Sequence, residues 1–372
     1  MTDASRLSFR IDAQASDSQA RAATFRTLHG EVATPLFMPV GTQAVVKAQT
    51  AQTLQDSGAQ ILLANTYHLL LRPGAEVFRR MGGIHRFMSW PGSVLTDSGG
   101  YQIFSLPHSR EITEQGAVFQ SYVDKRQVLL SPELSIETQV AIASDIMMAL
   151  DQCVPATADQ ATARAAVDLT HRWAARSLAA RGDSPQSLFA IVQGALFPEL
   201  RRESADRLAE MPFDGFAIGG LAVGEDRTER EDMCELTAER MPRDKPRYLM
   251  GVGDQLGLAE SVAVGVDMFD SVLPTRIARN SSALVASGRM NLRNAAYRQD
   301  MRPLDEACGC YACRSFSRAY LRHLVMAKEI LGFHLLTVHN LFQLQKLTGE
   351  LRAAVPTGGI LALLDRLRAE AE

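Results

Sequence analysis

No stretch of this chain is apolar for anything near the roughly 20 residues that a helix needs to cross a bilayer, so no membrane anchor of that kind is expected. The start, MTDASRLSF, lacks a basic cluster followed by an apolar run, and no secretory leader is expected either. The composition does not suit disorder: 46% is hydrophobic and only 22% charged. There is no strong charge bias. A formal net charge of −3 fits a soluble cytoplasmic protein and, taken alone, suggests no nucleic-acid partner. Low-complexity tracts are missing. Cysteine is scarce, five in 372 residues, and an odd count with three packed into six positions does not make a disulfide framework. It fits a metal site in a reducing compartment.

A rhythm fills the middle of the chain. After strand-like segments over residues 6–40, eight short apolar runs recur: Leu36–Val40, Ile61–Ala64, Ser93–Thr96, Ile146–Leu150, Leu188–Val192, Phe216–Ile218, Tyr248–Val252 and Met268–Leu273. They are apolar throughout rather than alternating, as strands buried on both faces of a parallel sheet are. Helical stretches such as Asp159–Ala180 and Pro198–Ala209 lie between them. Eight βα repeats predict a (β/α)₈ TIM barrel of the α/β class, with a doubly wound open sheet as the rival. The expected organisation is N-terminal strands over 1–35, a barrel over 36–280 and 345–372, and an inserted metal-binding subdomain over 281–344. Residues 103–130 are long for one connection and predict a small hairpin over the barrel mouth. Polar residues sit where the strands end: Asp97, Asp151, Gln193, Gly219-Gly220, Gly251, Gly253 and Asp270. In a parallel barrel these ends converge on one mouth. Any one of them is an ordinary turn or cap residue; together they argue for a pocket.

Cys308-Gly309-Cys310-Tyr311-Ala312-Cys313 offers three thiolates on a tight turn, a set that suits Zn²⁺ with a fourth ligand. His339 is the candidate, with His323 and His334 as competitors. Four protein ligands make a closed, structural site. Arg314–Leu331 reads as one helix linking the cysteines to His339. Residues 276–328 hold ten Lys/Arg against three acids, a local +7 that leaves the remainder at −10. Arg314, Arg318 and Arg322 repeat every four residues, and Phe316, Tyr320 and His323 form a second stripe. A basic lobe beside an acidic pocket fits phosphate binding with chemistry at one nucleotide; a solvated helix face is the plainer alternative.

Several segments together resemble the tRNA-guanine transglycosylase family. They are Asn65-Thr66-Tyr67-His68, Leu95-Thr96-Asp97-Ser98-Gly99-Gly100-Tyr101-Gln102, Asp151-Gln152-Cys153 and Val192-Gln193-Gly194. Gly219-Gly220-Leu221-Ala222-Val223-Gly224-Glu225, Tyr248–Gly253, Asp267–Arg276 and the cysteine cluster with His339 follow in order. The similarity runs from about residue 7 to 350. It implies a barrel enzyme with one structural Zn²⁺ per subunit. The implied reaction exchanges guanine at wobble position 34 of tRNAs with GUN anticodons (Asp, Asn, His, Tyr) for 7-aminomethyl-7-deazaguanine in queuosine biosynthesis.

The resemblance also implies roles. Asp270 is the nucleophile that forms a covalent aspartyl–RNA intermediate, and Asp97 the general acid/base. Asp97, Ser98, Gly99, Asp151, Gln193 and Gly220 bind the base, Tyr101 and Met250 sandwich it, and Leu221 with Glu225 reads the aminomethyl group. Gly251, Val252, Gly253, Thr275, Arg276 and Arg279 contact the anticodon loop, and the enzyme is a homodimer. Val223 and Cys153 resemble bacterial members that take the precursor base. The sequence departs from the usual pattern at Ser271, Val192, Gln152, Asp254 and Ser281; Asp254 stands where a Lys is frequent and contacts RNA. A queuine-accepting enzyme, a non-catalytic tRNA-binding paralogue and a zinc-stabilised RNA-binding protein are the alternatives.

Overall fold

A computed structural model describes residues 6–105 and 110–371. Eight parallel strands form the centre: β1 Leu36–Pro39, β2 Ile61–Ala64, β3 Ser93–Thr96, β4 Ile146–Met148, β5 Ser187–Val192, β6 Gly215–Ile218, β7 Arg247–Leu249 and β8 Met268–Ser271. Each pairs with its chain neighbour, β8 pairs with β1, and a parallel bridge between Val40 and Leu63 joins β1 to β2. The closed order confirms the barrel and excludes the open sheet.

Alternation inside the strands explains their continuous apolarity. Leu36, Met38, Ile61, Leu63, Leu95, Ile146, Met148, Phe189, Ile191, Ala217 and Met268 fill the interior. Their neighbours Phe37, Leu62, Val94, Met147, Leu188, Ala190 and Phe269 face the surrounding helices. An antiparallel sheet of Ser8–Gln14, Arg21–Thr27 and Gly30–Thr34 closes the N-terminal end, with Phe25 and Val32 joining the interior cluster. Arg21 anchors it through a fully buried ion pair to Asp267, Nη2 to Oδ2 2.6 Å. The long helix expected over Asp159–Ala180 spans Gln160–Arg181, capped by the Asp159 carboxylate accepting from Thr162 N–H at 2.7 Å. Pro198–Ala209 is helical as expected.

β3 and β4 meet only at Leu95 and Ile146. Gln139, fully buried on helix Pro132–Ile142, fills the gap. Its Oε1 accepts from Met148 N–H (2.8 Å) and Thr96 Oγ1 (3.0 Å), and its Nε2 donates to the Met148 carbonyl at 3.0 Å. Two strands that lead to Asp97 and Asp151 are thereby held together near the mouth by a side chain in addition to their short ladder.

Two sequence expectations are corrected. The segment after β3 is a three-stranded antiparallel sheet, Arg110–Ile112, Ala117–Gln120 and Gln127–Leu130, rather than one hairpin. Arg314–Leu331 is not one helix. It breaks into Tyr311–Ser315 and Arg318–Met326, and a turn with Lys328 at φ 59° leads into the helix Ile330–Ala354. Arg314, Arg318 and Arg322 therefore do not share a stripe, and Arg318 instead pairs with Asp300 (3.0 Å) and donates to the Leu304 carbonyl. Helix Ile330–Ala354 runs unbroken past position 345, and its Gln345 donates to the Phe37 carbonyl of β1 at 2.9 Å. Among the described residues no helix is long and apolar enough to cross a membrane.

Candidate active site

The strand ends do converge. Asp97 follows β3 and is buried, with four polar groups around it. Asn65 Nδ2 (2.6 Å) and Gln102 Nε2 (2.9 Å) donate to Oδ2, and Thr66 N–H donates to Oδ1 at 2.7 Å. Thr66 Oγ1 donates to the Asp97 carbonyl. Burial outweighs these donors, and with a contribution from the Asp270 charge it pushes the carboxyl up to about 6. Asp270, on β8, accepts from Tyr248 OH (2.6 Å) and Gly251 N–H (2.8 Å), both on Oδ1. Burial raises it too, against those two donors. The Asp270 charge reaches Asp97, and both charges reach the Tyr248 phenol. They therefore lie near one another at the same end of the barrel, not on opposite sides of the molecule.

Asp151 lies beside them. Ser98 Oγ (2.9 Å) donates to Oδ1 and Gln193 Nε2 (2.7 Å) to Oδ2, and burial raises this carboxyl as well. Gln193 Oε1 has no hydrogen-bond partner among the described residues and faces the turn after β6. A Cβ at Gly220 (φ 64°) would stand 2.2 Å from that oxygen, so the amide can rest there only over a glycine. The pocket thus offers carboxylates at Asp97, Asp151 and Asp270 and an amide at Gln193. That set matches a flat base with donors on one edge and an acceptor beside them.

The remaining predicted residues are distributed as follows. Ser98 and Gly99 form the turn that leads into helix Gly100–Ser105, where Tyr101 is 49% exposed. Met250 is half-buried at the end of β7, and Leu221 is buried after β6. Glu225 folds back to accept from the Ala222 and Val223 N–H groups, closing the 221–225 loop on itself. Of the predicted RNA contacts, Gly251 is exposed, while Val252, Gly253 and Thr275 are buried, Thr275 Oγ1 donating to the Val272 carbonyl. Arg276 and Arg279 are exposed on helix Leu273–Arg279, directly after Asp270, and neither has an acidic partner among the described residues. Asp254 caps helix Gln255–Ala263, accepting from Gly257 N–H at 2.7 Å, which accounts for a carboxylate where a Lys was expected.

Sequence reading missed the groups that hold these side chains. Asn65, Thr66 and Gln102 lie in motifs already singled out, without a role. Gln102 had a signal: it lies five residues past Asp97 in the first turn of the helix that opens there, so it can reach back. Tyr248 had none, because an aromatic residue in a barrel strand reads as core. Arg201 had none either; it reads as one more charge on a polar helix.

A second cluster lies at the C-terminal lobe. Cys308, Cys310, Cys313 and His339 are buried, and their ligand atoms lie within 4.8 Å of one another. His339 Nδ1 is 3.6, 3.6 and 3.3 Å from the three sulfurs. A tetrahedral ion with Zn–S of about 2.3 Å and Zn–N of about 2.0 Å places sulfur and nitrogen about 3.6 Å apart, so the spacing fits zinc. His339 Nε2 donates to the Leu284 carbonyl at 2.6 Å, which turns the Nδ1 lone pair to the sulfurs. Hydrogen bonds from the other thiols and from Cys313 N–H pull Cys310 well below the usual thiol range, toward the thiolate a metal needs. His334 is engaged elsewhere, on the Ala48 carbonyl at 2.7 Å.

Residues 16–372 match the family model described as queuine tRNA-ribosyltransferase. A protein of that name from Pelotomaculum thermopropionicum is 50% identical over 359 residues, covering 96% of this chain and 97% of the relative. Those from Solidesulfovibrio magneticus and Natranaerobius thermophilus are 51% and 48% identical, each over at least 93% of both chains. The family model spans nearly the whole chain and the relatives are about half identical to it over almost their full length, so the chain belongs to the queuine tRNA-ribosyltransferase family.

Proposed function

We propose that the protein exchanges guanine at the wobble position of tRNAs with GUN anticodons for 7-aminomethyl-7-deazaguanine, by double displacement through a covalent aspartyl–RNA intermediate. One observation carries the reading: the Asp270 charge reaches Asp97, and the two carboxyls, Asp97 buried and Asp270 half-buried, differ in their surroundings. Asp270 is held by only two donors on one oxygen, which leaves Oδ2 to bond to the ribose C1′. As C1′–N9 breaks, its electron pair stays on guanine N9, which takes the proton from Asp97. The incoming base gives its N9 proton to the Asp97 carboxylate, bonds to C1′ and releases Asp270. Each face of C1′ is used once, so configuration is retained.

Asp151 accepts from the donor edge of the base, while Gln193 and the Gly220 N–H serve its O6. Tyr101 and Met250 cover its two faces, and Leu221 with Glu225 meets the aminomethyl group. The unpaired Arg276 and Arg279 bind the neighbouring nucleotide, once the target base has left its stack. The Cys₃His cluster holds one structural Zn²⁺ that stiffens the lobe beside the RNA. The exposed apolar residues Tyr320, Met326 and Ile330 (75% exposed), with the half-buried Phe316 stacked on Tyr320, fit a homodimer contact, with His323 on the helix of Tyr320.

The test is incorporation of labelled guanine into tRNA-Tyr. Wild type incorporates it, and Asp270→Asn neither incorporates it nor forms an RNA adduct that survives denaturation. Equal activity of the two would remove Asp270 from the mechanism. The same assay with 7-aminomethyl-7-deazaguanine and queuine as competing bases tests the choice of substrate.

A further inference from the structure

Arg201, on the helix Pro198–Ala209 that follows β5, is 0% exposed and has no carboxylate partner among the described residues. All its donors go to backbone carbonyls at two strand ends. Nε donates to Ala195 at 2.8 Å, Nη1 and Nη2 both donate to Gly219 at 3.1 Å, and Nη2 also reaches Gly220 at 3.3 Å. Burial lowers the guanidinium to about 10, so it stays cationic at neutral pH. Burying a cation without an ion pair is costly, and packing alone would be met by an uncharged chain of similar volume. The fit is close: a Cβ at Gly194 would strike Arg201 Cγ at 2.7 Å.

Among the described residues no hydrogen bond other than those from the guanidinium holds the peptide on which the charge acts. The Gly219–Gly220 unit lies between two glycines, the pair for which turning a peptide over is easiest. A trans peptide points its C=O and N–H in opposite directions. With the Gly219 oxygen drawn to the guanidinium, the Gly220 N–H faces away from Arg201, toward the side where Gln193 and Asp151 lie.

We propose that Arg201 is a positioning residue for base specificity: it fixes the Gly219–Gly220 peptide so that its N–H donates to the O6 of a guanine-type base. The inference rests on the transglycosylase reading above.

The experiment compares wild type, Arg201→Met and Arg201→Lys for calorimetric binding of guanine and of 2-aminopurine, a purine that lacks O6 and with it the N1 proton. Steady-state guanine exchange and circular dichroism are recorded on each. Arg201→Met is expected to weaken guanine binding about tenfold, the size of one hydrogen bond, and to change 2-aminopurine by less than twofold. KM for guanine rises while kcat holds, because Arg201 touches no reacting atom. Lysine keeps the charge and one carbonyl contact, and falls between the two. If Arg201→Met does not fold, the lysine variant decides by the same contrast, with a loss of about threefold for guanine alone. Equal guanine affinity in wild type and the folded variants, or parallel loss for both purines, overturns the inference. A wild type that fails to exchange guanine refutes the transglycosylase reading instead.

Discussion

Asp97→Asn should abolish guanine exchange and yet stabilise the protein at neutral pH. The carboxyl is fully buried and its affinity for protons rises from 3.8 to about 6 on folding. Each unit of such a shift is worth about 1.4 kcal/mol, so the ionised form costs the folded state about 3 kcal/mol at pH 7.5. Asparagine removes that cost. It keeps the acceptor for Thr66 N–H but presents an amide nitrogen where Oδ2 accepted from Asn65 and Gln102. Gln102 can turn over freely, since its Oε1 has no partner. One opposed donor pair, with Asn65, remains at about 1 kcal/mol, for a net gain of about 2 kcal/mol. The pH dependence follows from the raised value. The cost is complete above about pH 6, shrinks as pH falls from there, and vanishes below the unfolded value near 3.8. The advantage of the variant is therefore about 2 kcal/mol at pH 7.5 and near zero at pH 4.5. Urea unfolding of both proteins at the two pH values measures it. A variant less stable than wild type at pH 7.5, or a difference that does not change with pH, would refute the reasoning.

Three further outcomes are expected. Because Asp97 of the covalent intermediate must be ionised to take a proton from the incoming base, kcat/KM for that base should fall tenfold per pH unit below about 6, a limb that a pH profile of wild type resolves. His339→Ala should leave purified protein without its zinc and loosen the C-terminal lobe, read as less than one zinc per chain by metal analysis and a lower Tm. At the closed end of the barrel, burial would raise Asp145, but donors from His85 (3.0 Å), Val94 N–H (2.8 Å) and His29 (2.8 Å) hold it below its ordinary value. A depressed carboxylate contributes stability above its unfolded value that is lost as pH falls through the folded one. His85→Ala should therefore cost about 1–3 kcal/mol at pH 7 and move acid unfolding to higher pH, as circular dichroism against pH would record.

The barrel was legible because its signal is redundant. Eight runs each had to be apolar on both faces, and a missed boundary in one, such as β4 ending at Met148 rather than Leu150, changes nothing in the topology. The helix after the cysteines carried no such redundancy. Arg314 to Leu331 has good helix formers throughout, and the break at Phe316-Ser317 is set by Ser317 capping the next helix through Tyr320 N–H and by Arg318 turning inward to Asp300. A contact between residues 18 apart decided the local structure, and propensity cannot register it.

The candidate site divides along the same line. Asp97, Asp151, Gln193 and Asp270 were visible because a polar residue ending an apolar strand is anomalous in its own neighbourhood. What sets their chemistry was not visible, because it arrives from other strands. Tyr248 belongs to β7 and acts on β8; Asn65 follows β2 and acts on the residue after β3; Arg201 follows β5 and acts on the turn after β6. Each is a step sideways around the barrel, between positions adjacent only once the sheet has closed. Closure brings these donors to the carboxylates, and it also encloses them, so the burial that raises Asp97 and Asp270 comes from the same event. The tuning of the site is therefore a property of the closed ring. A substitution that opens one strand pairing near the mouth, as at Gln139, should lower the pH of the acidic limb without touching either carboxylate.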